Sequence, residues 1–236
     1  MTKRFFQRDI LILIRNWPTV CLWDLTLIEG GENDSGKSVI TQQIIWGGGL
    51  KGSMNVALYT SENTSKSFLG QMESMSLDIA DYFAWGGYLK VFPMHTIGFE
   101  WGGEKEMQGI LKRIIQHMRD SDSDVIIIDS LTLLTEATNS ADLLAFLTNC
   151  KTLVDTGKTI LITLHTYAFQ EDTLVRIRSI CDAHLMMKRA LVGQKYIMVM
   201  EVVKIRGARK TTGNIVSFEV HPGFGMKIIP ISMARV

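Results

Sequence analysis

The chain has little of what would mark several protein classes. Its three cysteines, Cys21, Cys150 and Cys181, are scattered along 236 residues. An odd, unclustered set excludes a disulfide framework, and no C-x-x-C or Cys/His cluster offers a zinc site. Buried free thiols in a reducing compartment are expected instead. There are four prolines, and no Pro-rich linker, low-complexity tract or internal repeat interrupts the pattern. Apolar runs such as Ile10–Ile14 and Val125–Ile128 fall far short of the ~20 residues that span a bilayer. Lys3, Arg4 and Arg8 precede the first run, but Arg15 closes it too early for a signal peptide. Charge of one sign is also missing: 25 Lys plus Arg face 24 Asp plus Glu. Net charge therefore exerts no broad pull toward nucleic acid or lipid, and such a partner would have to be met by a local patch. The expectation is a cytoplasmic protein that meets the cytoplasmic face of a membrane only through partners.

What is present is an ordinary globular composition, 46% hydrophobic and 21% charged, enough for a sizeable core. Residues 1–24 show no clear period and are set apart as an atypical N-terminal segment; residues 25–236 are expected to form one domain. From Leu25 onward the pattern is strand, loop, helix, repeated. Leu25–Glu29 is a short apolar run ending at glycines. Gly36–Trp46 has helical spacing and is expected to stop at Gly47-Gly48-Gly49. Strands are predicted at Asn55–Thr60, Tyr88–Pro93, Val125–Ile128 and Thr159–Leu164, and helices at Ser65–Met75, Glu104–Arg119, Ala141–Val154 and Leu174–Ile180. Glu104–Arg119 carries apolar residues at Met107, Ile110, Leu111, Ile114, Ile115 and Met118, one face of a helix. Val125-Ile126-Ile127-Ile128 is continuous and β-branched, as in a strand buried on both faces of a parallel sheet. Ala183–Lys188, Tyr196–Lys204, Ile215–Val220 and Met226–Ile229 read as late antiparallel hairpins. The fold class expected is α/β, a mostly parallel sheet flanked by helices with C-terminal β-hairpins.

Gly31-Glu32-Asn33-Asp34-Ser35-Gly36-Lys37-Ser38 matches G-x-x-x-x-G-K-[ST] in full. Glycines let the main chain turn so that successive N–H groups point at phosphate oxygens. The helix that follows adds the positive end of its dipole. Lys37 supplies a point charge for the β- and γ-phosphates, and the Ser38 hydroxyl is a natural Mg²⁺ ligand. With Val39, these residues form the candidate ATP site. The partner carboxylate should end a neighbouring buried strand, and Asp129 follows Val125–Ile128, placed to hold Mg²⁺ through water. Glu62 follows the Asn55–Thr60 strand. A carboxylate there would polarise the attacking water, and the spacing equally suits a glutamate drawn to a helix start by its dipole. The candidate catalytic residues are Lys37, Glu62 and Asp129. His165, at the end of the Thr159–Leu164 strand, is either a polar γ-phosphate sensor or a satisfied strand-end histidine. His95, His117, His184 and His221 have no metal-like spacing.

Loop, Glu62, Asp129 and trailing hairpins together resemble the RecA/KaiC branch of P-loop ATPases, and within it the KaiC-like ATP-binding proteins of the archaeal flagellum, or archaellum. Leu27–Gln43, Val56–Met72 and Val125–Leu134 carry most of the likeness. The resemblance implies a RecA-type core, assembly into a ring, commonly a hexamer, and docking to the archaellum motor ATPase FlaI and the membrane platform protein FlaJ, with ATP occupancy governing these contacts. In KaiC-like rings a Lys-x-Arg pair on a late strand reaches the γ-phosphate held by the neighbouring subunit. Lys204-Ile205-Arg206 stands in that place, with Arg209 and Lys210 beyond. Lys188, Arg189 and Lys195 extend the basic stretch, which read alone is equally a solvated hairpin face. Two departures stand out. Residues 1–24 lack the L-D-x-x-L-G-G-G segment usual in the group, and Asn63 follows Glu62 where KaiC has a second glutamate. Slow or absent hydrolysis, with a role as an ATP-gated scaffold, is therefore expected. A DNA-acting RecA-like ATPase is the alternative. It is opposed by the neutral charge and the lack of basic–aromatic interleaving. A small-molecule kinase would need an arginine-bearing lid and an acceptor pocket that the sequence does not show.

Overall fold

The computed structural model describes residues 24–31, 35–84, 87–94, 109–135, 138–206, 215–221, 223 and 225–229. Cys21, Glu32, Asn33, Asp34, His95, Met107, Arg209 and Lys210, along with residues 1–23, lie outside the described residues.

The continuous apolar runs become strands buried on both faces. These are β1 (Leu25–Gly30), β2 (Val56–Thr60), β4 (Val125–Asp129) and β5 (Thr159–His165), in which every residue is buried. They join β3 (Leu89–Pro93), β6 (Ala183–Val192), β7 (Lys195–Ile205), β8 (Ile215–His221) and β9 (Gly225–Ile229) in a nine-stranded sheet. Its order is β3-β2-β4-β5-β1-β6-β7-β8-β9. From β3 to β6 neighbours are parallel; from β6 to β9 they are antiparallel. β6 was expected only as half of a hairpin, yet it also closes the parallel set against β1. Between His184 and Leu185 of β6 the register with β7 shifts by one: His184 faces Lys204, whereas Leu185 faces Val202. Val203 is thus the extra residue of a bulge.

Side chains alternate across the sheet, so each strand feeds two cores. On one face Leu25, Leu27, Ala57, Tyr59, Ile126 and Ile160 pack under α4 (Ile110–Asp120), α6 (Ser140–Asp155) and α7 (Glu171–Ile180). On the other, Ile28, Leu58, Ile127, Leu185, Met187, Met200 and Phe218 pack under α1 (Lys37–Gln43) and α2 (Ser65–Ser74). Two short helices, α3 (Ala80–Ala84) and α5 (Leu131–Leu134), had no signal in the periodicity. The five apolar residues of α4 foreseen from its spacing and described here, Ile110, Leu111, Ile114, Ile115 and Met118, are all buried. Cys150 and Cys181 are buried free thiols, and burial pushes Cys181 up to about 12.

The glycine-rich stop expected at Gly47–Gly49 is not where the helical path ends. α1 runs on as a π-helical turn, Ile44–Gly49, and a 3-10 turn, Leu50–Gly52, before Ser53 at φ 59 turns the chain. Gly49 is needed there for close approach: a Cβ on it would lie 2.6 Å from Val56 Cγ2. No described helix is long and apolar enough to cross a membrane.

Candidate functional site

Four strand ends converge at the carboxyl edge of the parallel set, where ligands of open α/β sheets are bound. Gly30 of β1 lies opposite His165 of β5, and Thr60 of β2 opposite Asp129 of β4. β1 is the topological switch: the chain leaves it for β2, three strands away, and later fills the gap with β4 and β5.

The described part of the loop is tightly folded. A Cβ on Gly30 would sit 2.6 Å from Ser35 Oγ and 3.0 Å from Met187 O, so only glycine fits. Gly36 has φ 88 and ends the loop as the N-cap of α1, with no side chain capping the helix. The first-turn N–H groups of α1 are thereby left for an anion. Lys37 is buried, and its Nζ donates to Ser35 Oγ at 3.1 Å. Burial pulls its pKa down, while the charges of Glu62 and Asp129 pull it up. Ser38 and Val39 are half-buried beside it. Glu32, Asn33 and Asp34 belong to the undescribed part of the loop.

Asp129 is buried at the end of β4. Burial pushes its carboxyl up to about 6; a hydrogen bond from Thr163 opposes this, Glu62 adds to it and Lys37 opposes it. The Thr163 hydroxyl donates to Asp129 Oδ1 at 2.7 Å and orients it. The end of β2 is tied to the same place: Ser61 N–H donates to the Asp129 carbonyl at 2.9 Å, and Ser61 Oγ donates to the Ser130 carbonyl at 3.0 Å. Glu62 is exposed at that corner. His165 accepts or donates at Nδ1 with Thr132 Oγ1 at 3.3 Å, and its backbone N–H donates to the same hydroxyl at 2.9 Å. Burial and the charge of Lys37 lower its pKa, with Glu62 opposing. Lys37, Glu62, Asp129 and His165 thus sit within electrostatic reach of one another, although they are scattered over 128 positions of sequence (from 37 to 165).

The donor set suits a hard cation shared with phosphate. A hydroxyl, Ser38, and a carboxylate, Asp129, are oxygen donors of the kind Mg²⁺ takes when phosphates and water complete its shell. Ser130 Oγ is buried beside Asp129 with no hydrogen-bond partner among the described residues, a polar atom consistent with a hydrated group there. Among the described residues no cluster of three or more His, Cys, Asp or Glu could hold a metal by protein ligands alone.

Lys204 and Arg206 are not brought to this loop within the chain. Asp182 N–H donates to the Leu25 carbonyl and Arg206 N–H to the Asp182 carbonyl, so both basic residues stand near the start of β1. Lys37 lies past its other end, roughly 16 Å along the strand. Lys204 Nζ donates to the carbonyls of Arg178, Ser179 and Cys181 at 3.0, 3.3 and 2.6 Å, capping the C-terminal end of α7. Arg206 donates to the Ser179 carbonyl at 3.1 Å and pairs with Asp182 at 3.2 Å. Lys151 also pairs with Asp182. Lys188 of the basic stretch pairs with Glu201 at 3.0 Å.

Two polar groupings escaped the sequence reading. Glu29, fully buried immediately before Gly30, receives Arg178 Nε at 3.1 and 3.0 Å, with Arg178 Nη2 at 2.9 Å and His184 Nε2 at 3.0 Å. Burial pushes its carboxyl up, but the hydrogen bonds and charges of His184 and Arg178 prevail and hold it below the usual glutamate value. The only signal was a lone charge inside an apolar strand. Asn63, in the place of the second glutamate, accepts from Gln71 Nε2 at 2.7 Å, and Gln71 accepts from Gln42 of α1 at 2.8 Å. This amide chain fixes the Glu62 corner against the phosphate-loop helix.

The family model "ATPase: KaiC" matches residues 23–233. The chain belongs to the KaiC family of ATPases. Within that family it is similar to the archaeal flagellar ATP-binding protein FlaH of Sulfolobus acidocaldarius, 34% identical over 87% of this chain and 88% of that one. FlaH of Methanocaldococcus jannaschii is 26% identical over 89% and 88%. The crystal structure of flagellar accessory protein FlaH from M. jannaschii superposes with a TM-score of 0.76 at 24% identity, covering 90% of this chain and 92% of that one. A KaiC-like protein from Pyrococcus horikoshii gives 0.68 at 16% identity, covering 89% and 90%. These two likenesses bear on the fold: a mostly parallel sheet with flanking helices and a C-terminal antiparallel part.

Proposed function

We propose that this chain is the nucleotide-binding subunit of an archaellum machinery, binding ATP with Mg²⁺ and using its occupancy as a switch. The observation that carries the proposal is the convergence of Lys37, an uncapped helix start and the oriented Asp129 at one strand edge. The main-chain N–H groups at the start of α1, from Gly36 to Val39, would receive the phosphates, and Lys37 would neutralise them. Ser38 and Asp129 would hold the metal ion, which when bound would supply positive charge to offset that of the phosphates. Thr163 keeps the Asp129 carboxylate aimed at the metal. Glu62 is the group available to orient an attacking water, and its isolation beside Asn63 makes the protein a weak ATPase at most. The printed names of its relatives support the archaellum context.

In this reading residues 25–236 form one ATP-binding domain. ATP drives assembly into a ring of identical subunits, a hexamer, which docks to the motor ATPase FlaI and the platform protein FlaJ at the cytoplasmic face of the membrane. Lys204 and Arg206 would reach a neighbour's γ-phosphate only by leaving the carbonyls they now serve, so exchange of those contacts accompanies ring closure. Mass measurement in solution with and without Mg-ATP, together with phosphate release over time, tests the proposal. The expected result is nucleotide-driven assembly with slow or no phosphate release, the assembly being lost in Lys37→Ala and Asp129→Ala at roughly 10²-fold weaker nucleotide affinity (about 2.7 kcal/mol). Unchanged ATP affinity in Lys37→Ala would overturn it.

A further inference from the structure

The hairpin of β6 and β7 overshoots the sheet on the phosphate-loop side. Gly30, the last residue of β1, is level with Met187, so Lys188–Val192 and the paired start of β7 continue for about 16 Å beyond it. Cross-strand pairs fix which face each side chain occupies. Met187 lies opposite Met200, Arg189 opposite Met198, and Leu191 opposite Tyr196. Met187 and Met200 belong to the core layer under α1, and Met198 packs against that layer. Met198 also comes to the loop itself, since a Cβ on Gly36 would meet its Cγ at 3.1 Å. Arg189, Leu191 and Tyr196 therefore occupy the loop-side face of the hairpin. Tyr196 is two residues, about 6.6 Å, farther out than the side chain that touches the loop.

Their state on that face is unusual for large side chains. Tyr196 and Leu191 are each 60% exposed, and Arg189 lies over the Tyr196 ring at 4.4 Å from its centroid. A flat ring backed on one side by a guanidinium and open to solvent is a surface suited to a planar heteroaromatic group. A nucleotide whose phosphates lie against Gly36 needs its base at the distance of one ribose from them, on the same face.

We propose that Tyr196, backed by Arg189 and flanked by Leu191, is the platform on which the base of the bound nucleotide stacks. This rests on the phosphate-loop reading above. Stacking on a π-face is tolerant of base identity, so the platform serves purine nucleotides as a class and adds affinity more than it selects adenine.

Titration calorimetry with Mg-ATP, Mg-GTP and magnesium tripolyphosphate, on wild type and on Tyr196→Ala, Tyr196→Trp and Lys37→Ala, tests this. Tyr196→Ala should bind ATP and GTP roughly 5- to 150-fold more weakly. It should bind tripolyphosphate within twofold of wild type, because the probe has no base. Tyr196→Trp should restore nucleotide affinity, and Lys37→Ala should lose nucleotide and tripolyphosphate alike. Tyr196→Ala binding ATP within twofold of wild type while Lys37→Ala loses it would overturn the platform and leave the loop standing, as would equal losses of ATP and tripolyphosphate in Tyr196→Ala. If Lys37→Ala keeps all three affinities, the loop reading falls and the platform with it.

Discussion

Arg178→Met isolates the ion pair behind the phosphate loop. The substitution keeps most of the aliphatic stem and removes the guanidinium that holds both oxygens of Glu29. Glu29 is fully buried, and the Arg178 side chain is 24% exposed, so solvent does little to screen the loss. Among the described residues His184 Nε2, at 3.0 Å, is then the one group paired with the carboxylate. Stranding a buried charge costs about 3–5 kcal/mol. At about 2–4 °C per kcal/mol for a chain of this size, the unfolding midpoint at pH 7 should fall by roughly 6–20 °C. The pH dependence gives a second signature. In wild type the Glu29 carboxyl titrates below the ordinary glutamate value of 4.5. Its contribution is therefore complete above that value and is lost as pH falls through the lower folded pKa. Without the hydrogen bonds and charge of Arg178 the folded pKa moves up, so acidification costs the variant less than wild type. The gap in stability should narrow from pH 7 to pH 4. Circular dichroism melts at one-unit pH steps measure it. Pairing Arg178→Met with Glu29→Gln should recover about half of the loss or more, since both charges then go together. A midpoint shift under 2 °C, or a gap that widens on acidification, refutes the reasoning.

Other outcomes follow from the same geometry. Asp129→Asn removes a carboxylate whose pKa burial has raised to about 6. Such a group destabilises the ionised fold above that pH and not below 3.8, so without nucleotide the variant should melt higher than wild type at pH 8, by an amount on the order of 3 kcal/mol, with the gain vanishing below pH 4. Mg-ATP should then no longer raise its midpoint. A lower melt at pH 8 contradicts the assignment. Lys204→Met removes three donors from the end of α7, and urea unfolding should show a loss of about 1–3 kcal/mol with Mg-ATP affinity of the monomer within twofold of wild type. Unchanged stability would show that the cap contributes nothing.

The sheet was readable from composition alone wherever a strand is buried on both faces. Val125–Ile128 and Thr159–Leu164 contain too many β-branched and apolar residues to face water, and both are central strands. The loop was readable because phosphate binding imposes fixed spacing on Gly, Lys and Ser within eight positions. Asp129 followed from the run before it. Thr163 and Glu29 could not be read in the same way, because each acts through a partner far along the chain: Thr163 through Asp129, 34 residues back, and Glu29 through Arg178, 149 residues on. Such contacts depend on strand order, which local periodicity does not encode. The glycines at 47–49 misled for a different reason. Glycine ends a helix when the chain must turn, but Gly49 is present to let Val56 approach, and the helical path widens past it. Lys204-Ile205-Arg206 was visible as a motif, whereas its engagement with α7 needed the register of β7.

That register depends on one surplus residue. Along β7, Tyr196, Met198, Met200 and Val202 share the α1 side, and strict alternation would put Lys204 there as well. Val203 breaks the count, so the same strand turns its ammonium toward α7 while its other half lines the approach to the loop. Drawing Val203 into the ladder as an ordinary pair would force a choice: drive the Lys204 charge into the apolar layer around Met187 and Phe218, or rotate the whole outer half of the strand and carry Tyr196 to the wrong side of the sheet.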